Sequence, residues 1–123
     1  MSFLKFDHEN FLLIRYNNET ISDLEELKKE LLTESGGGRG ARDTVLDCSL
    51  AQIISSIEIS TIVQFLKTLP GSGRFLRLVT SSYVRELLIA INLHKIPNLI
   101  LYDSMEPVQE YFSDTDMSLI ASA

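Results

Sequence analysis

The sequence predicts an α/β domain: a mixed sheet of four or five strands carrying about four helices. After Thr44, short apolar runs alternate with segments of helical period. VLDC precedes Ile59, Ile62, Val63, Leu66 and Leu69; RFLRLVT precedes Val84, Leu87, Leu88 and Ile91; NLILY precedes Val108, Tyr111 and Phe112. Strands that alternate with helices pair in parallel through right-handed crossovers. Before that repeat, Phe3 to Asp7 and Phe11 to Tyr16 are aromatic and branched runs flanking His8-Glu9-Asn10, which reads as an opening hairpin.

Asn17-Asn18-Glu19 makes the turn out of the hairpin. Ser22 and Glu25 have capping-box spacing, and Ile21, Leu24, Leu27 and Leu31 form one apolar stripe through a helix ending near Ser35. Glu25, Glu26, Lys29 and Glu30 form its solvated face. Gly36-Gly37-Gly38-Arg39-Gly40 stops the helix, and the stretch from Ser35 to Ala41 is expected to be exposed. Gly36, Gly38 and Ala41 match a dinucleotide-binding spacing, but that mechanism needs glycines after a strand and before a helix. Here the order is reversed, so the segment reads as a surface loop.

The stretch from Thr44 to Leu69 organises the rest. Val45-Leu46-Asp47-Cys48 has the continuous apolar character of a strand buried on both faces. Ser55-Ser56-Ile57-Glu58 is a capping box with Ser55 as N-cap, which places Ser56 at the first helical position, its hydroxyl facing water. Pro70-Gly71-Ser72-Gly73 stops the helix. The strand Arg74 to Thr80 runs into Ser81-Ser82, which caps the next helix, and Leu93 to Pro97 closes it with cations suited to the helix dipole. A short strand, Asn98 to Tyr102, leads to Asp103 and Glu106, a further capping-box spacing that opens the last helix. Residues 1–112 read as one domain and 113–123 as a C-terminal tail without sustained period.

Composition narrows the function classes. The chain has 123 residues with 45% apolar content, enough for one packed core. No apolar run approaches the roughly 18 residues of a membrane span, so no membrane insertion is expected, and the N-terminus lacks the pattern of a secretory signal. Cys48 is the only cysteine; that excludes an internal disulfide and fits a reducing, cytoplasmic setting. The net charge of −6 and the lack of a basic stripe argue against nucleic acid as a partner.

An enzyme is not expected. Cys48, His8 and His94 belong to distant segments, and Cys48 lies in a strand where an inert core thiol is the usual case. No Cys/His cluster has metal-ligand spacing, so neither metal nor cofactor is implied. Asp47 stands apart. At the end of a central strand it is placed either to hold neighbouring loop amides or to join a partner surface.

VLDCSLAQIISSIEISTIVQFLK followed by FLRLVTSSYVRELLIAINLHKIPNLILYDSMEPVQEYF resembles a STAS domain, the fold of bacterial anti-sigma factor antagonists. In that family a central strand reading V-x-D-L-S leads through a D-S-S-G-L turn into a helix. Counted from Asp47, the signature Asp falls on Ser55, the Ser on Ser56, the next hydroxyl on Ile57 and the Gly on Glu58. The resemblance implies a non-enzymatic, protein-binding regulator, with Ser56 at the position a partner kinase phosphorylates. Phosphate there would be tolerated by the helix N-terminus, add about −1.5 to −2 charges, and repel a complementary partner.

Two function classes stay open. One is a signalling module whose binding to an anti-sigma factor or kinase-like protein is switched at Ser56. The other is an unmodified scaffold or subunit of the same fold, in a stress-sensing or lipid-transport complex. The expected partner-binding residues are Ile54, Ser55, Ser56 and Glu58 with Ser82 and Tyr83. Loops that follow parallel strands share one sheet edge, where α/β folds place their sites.

Overall fold

In a computed structural model, residues 3–17, 21–35, 42–51 and 54–111 are described. β1 (Phe3–Asp7) and β2 (Phe11–Tyr16) form the antiparallel hairpin. β3 (Asp43–Cys48), β4 (Leu76–Thr80) and β5 (Leu99–Tyr102) follow in parallel, giving the order β1-β2-β3-β4-β5. The helices are α1 (Ile21–Ser35), α2 (Ser56–Leu66), α3 (Ser82–Ala90) and α4 (Glu106–Tyr111), with a 3-10 turn at Leu93–Lys95. The predicted mixed α/β sheet is therefore the observed one. No helix among the described residues is long and apolar enough to cross a membrane.

Alternation along the strands makes two apolar layers. Leu12, Ile14, Leu46 and Leu78 point to the face covered by α1, α2 and α3, where Leu27, Leu31, Ile62, Leu66, Val84 and Leu88 meet them. Phe11, Leu13, Val45 and Val79 point to the other face, against Val108 of α4. β3 is buried on both sides, Asp47 included, as its short apolar run predicts.

Several helix details differ from the sequence reading. α1 begins at Ile21, so Ser22 lies inside the helix and does not cap it. Ile21 is exposed, and the buried stripe runs through Asp23, Leu27, Leu31 and Glu34. That phase puts two acids inward. Glu34 is matched by Arg42, which donates to Glu34 Oε2 at 3.1 Å and Oε1 at 2.6 Å, and also to Asp7 Oδ1 at 2.5 Å and to the His8 carbonyl at 2.6 Å. The bonds to Glu34 first, and then to Asp7, hold the Arg42 guanidinium above its usual range despite burial. One cation thus ties the hairpin, the end of α1 and the start of β3.

In α3, Val84 and Leu88 are buried while Leu87 and Ile91 are exposed, so the inward face is narrower than the periodicity implied. α3 ends at Ala90, and Asn92, in the left-handed region at φ 64°, separates it from the turn holding His94 and Lys95. α4 begins at Glu106, so Asp103 and Glu106 do not form the expected capping box. Tyr111 is exposed, with the Arg77 guanidinium 3.7 Å from its ring centre. Residues 36–41, Phe112 and the tail 113–123 lie outside the described residues.

Candidate functional site

The register Cys48↔Thr80 ends β3 and β4 side by side, so the loops leaving them emerge on one sheet edge. Asp47, only 4% exposed, shapes the first loop from within. Its Oδ1 accepts from the Ser49 amide at 3.0 Å and its Oδ2 from Arg15 Nε at 3.4 Å. Of the two roles open to Asp47, it takes the first. The chain then turns through Ala51, whose amide donates to the Cys48 carbonyl at 3.0 Å.

Ser55 caps α2 in extended geometry (φ −86°, ψ 165°). Its Oγ accepts from the Glu58 amide at 3.3 Å, and Glu58 Oε1 accepts from the Ser55 amide at 2.7 Å. Both halves of the capping box are present, as S-x-x-E predicts. Ile54 and Ile59 stand at the N′ and N4 positions of a hydrophobic staple, and both belong to the core under α2. Ser56 is the first helical residue, and its side chain is exposed.

Glu58 departs from expectation. Its carboxylate is 4% exposed and faces inward, where Glu58 Oε2 accepts from the Tyr16 hydroxyl at the end of β2. It therefore adds no charge to the outer edge. Ile54 is buried as well. Burial, then the bond to Glu58, pushes the Tyr16 phenol well above its ordinary range, so Tyr16 is the proton donor of the pair.

A serine caps the start of α3 as well. Ser81 (φ −63°, ψ 159°) caps α3, its Oγ accepting from the Val84 amide at 3.3 Å. Ser82 takes the first helical position and Tyr83 follows, 70% exposed. The edge thus presents Ser55, Ser56, Ser82 and Tyr83 outward, with Ile54 and Glu58 supporting them from behind.

The two histidines are not brought to Cys48. His8 lies in the β1–β2 turn and His94 precedes β5, both on the opposite sheet edge. His8 Nδ1 accepts from the Asn10 amide at 3.0 Å, and its ring stacks on Phe11 at 4.7 Å. Burial, followed by Asp47 and Glu58, drives the Cys48 thiol upward, away from the thiolate a nucleophile needs. Among the described residues, no group of three or more His, Cys, Asp or Glu could hold a metal ion. The role of Tyr16 escapes sequence reasoning, because S-x-x-E announces the local box but not a partner 42 residues away.

No family model and no curated protein matches the chain. Two solved structures do. A candidate anti-sigma factor antagonist from Thermotoga maritima matches with TM-score 0.69 and 26% identity, over 89% of this chain and 92% of that one. An anti-sigma-factor antagonist (STAS) domain protein from Planctomyces limnophilus matches with TM-score 0.63 and 14% identity, over 82% and 90%. With its five-stranded mixed sheet, three helices on one face and a closing helix on the other, this chain has the STAS-like fold of anti-sigma factor antagonist domains.

Proposed function

We propose that this chain is a regulatory protein-binding module resembling an anti-sigma factor antagonist, and that phosphorylation at Ser56 sets its affinity for a protein partner. One observation carries the reading: an exposed serine hydroxyl at the first position of α2, on the edge of a STAS-like fold where β3 and β4 release their loops. A phosphate on Ser56 would meet the free amides and positive dipole end of α2, so the fold would keep it. Its charge would fall on an outer edge from which the carboxylate of Glu58, in the same first turn, is turned away. Ser55, Ser82 and Tyr83 complete a surface of hydroxyls and one aromatic anchor, a composition suited to a transient interface.

A second reading keeps the binding and drops the switch. Glu58 stands where the family turn has glycine, and it closes the capping box and bonds Tyr16. A turn fixed this firmly favours a constitutive scaffold or subunit, in a stress-sensing or lipid-transport complex. Capture of the partner from the native lysate, followed by titration of Ser56→Asp and Ser56→Ala, separates the two. The switch expects Ser56→Asp to bind at least about tenfold more weakly and Ser56→Ala to bind normally. Equal affinities for wild type, Ser56→Asp and phosphorylated protein would refute it.

A further inference from the structure

α1 and α2 lie side by side on the same sheet face, and a groove of about 740 Å³ runs between their outer surfaces. Leu31 and Phe65, core residues beneath the helices, form its floor. Leu32 on α1 and Ile57 on α2 stand along it, 75% and 55% exposed. Together they put open apolar surface on both sides of one groove, and contiguous apolar patches are what interaction sites use.

The charge pattern is the second observation. A solvent-facing helix ordinarily displays charged residues on its outer side. α2 displays none. Its single ionisable residue, Glu58, is buried, and the groove side carries Ser56, Ser60, Thr61 and Gln64 instead. Charge depletion in the middle of a patch is the compositional mark of an interface core. The groove's one ionisable lining residue is Lys28, which has no hydrogen bond or ion pair among the described residues. Among the described lining residues this leaves one positive point in an otherwise uncharged trough.

We propose that this groove docks one amphipathic helix of a protein partner, with an apolar stripe seated between Leu32 and Ile57 and a carboxylate opposite Lys28. A helix fits because the site is itself the furrow between two helices. The eleven residues of α2 give it about 16 Å of length, three turns of a ligand helix. Ser56 lies at one end of the groove, so the docked helix is continuous with the edge proposed above. The inference rests on reading the chain as a protein-binding module, but not on phosphorylation.

The probe is a synthetic 16-residue amphipathic helix with leucines at i, i+3, i+7 and i+10 and one glutamate beside the stripe. A second peptide has lysine in place of the glutamate. Both are titrated into the full chain while backbone amide resonances are followed. The glutamate peptide is expected to shift the amides of Lys28, Leu32, Ile57 and Thr61 and to bind about three- to fivefold more tightly than the lysine peptide, the range of one exposed ion pair. Lys28→Glu should reverse that order, and Leu32→Asp with Ile57→Asp, both on exposed positions, should abolish binding without unfolding the chain. Equal affinity for the two peptides, shifts confined to α3 or α4, or no shifts at millimolar peptide would overturn the proposal. So would concentration-dependent shifts of the same amides without peptide, which would assign the groove to a second copy of the chain. Failure of the Ser56 titrations with the peptide still bound would remove the switch and leave the groove standing.

Discussion

Tyr16 at the end of β2 donates its hydroxyl to the buried carboxylate of Glu58 in the first turn of α2, so a strand and a helix 42 residues apart share one bond beneath the candidate edge. Glu58 gives its other oxygen to the Ser55 amide. The turn that presents Ser56 is thereby fastened from below, and the fastening is neither on the surface nor local.

Tyr16→Phe tests that bond with almost no change of shape. It leaves a buried carboxylate one donor short, which costs about 1–3 kcal/mol. Urea denaturation should show the loss. Amide hydrogen exchange should accelerate over residues 55–59 more than over β3. A uniform acceleration would mean that the bond supports the whole fold and not the turn.

Ser55 and Ser56 should separate cleanly. Ser55→Ala removes the acceptor for the Glu58 amide and is expected to cost about 1 kcal/mol. Ser56→Ala, on an exposed residue, should stay within about 0.5 kcal/mol of wild type. The comparison of their denaturation midpoints decides it, and a reversed order would place the cap one residue later.

Arg42→Met should be among the most damaging single changes. It leaves Glu34 buried with its two guanidinium bonds gone, at about 3–5 kcal/mol. The paired variant Arg42→Met with Glu34→Gln should recover part of the loss. Thermal melts of the single and double variants check both statements.

Alkaline pH should loosen the fold. The native state holds Cys48 and Tyr16 protonated, both pushed above their ordinary values of 9.0 and 10.0 chiefly by burial. Once unfolded, they release their protons near those values. Above about pH 9 the unfolded state therefore binds fewer protons than the native one. Stability, fully present at neutral pH, then falls with rising pH by up to about 1.4 kcal/mol per unit for each ionising group. Denaturation midpoints from pH 7 to 10.5 should show the decline, with a later onset in Cys48→Ala. At pH 7.5 native Cys48 should resist alkylation.

The order of strands and helices along the chain is legible in the residues themselves, because hydrophobic period is a local property and each element carries its own. The hairpin, the doubly buried β3 and the Ser55–Glu58 box are all written within a few residues, and all are present. Tertiary structure decided the phase of α1, where burial of Asp23 and Glu34 displaced the Ile21 stripe. Arg42, brought against Glu34 by the fold, supplies the pairing that lets that acid point inward. It also decided that Glu58 turns toward Tyr16 and that Lys28, unpaired among the described residues, lines the groove between two helices. A carboxylate's direction depends on which donor lies beneath it. That donor arrives from another part of the chain only when the sheet has formed.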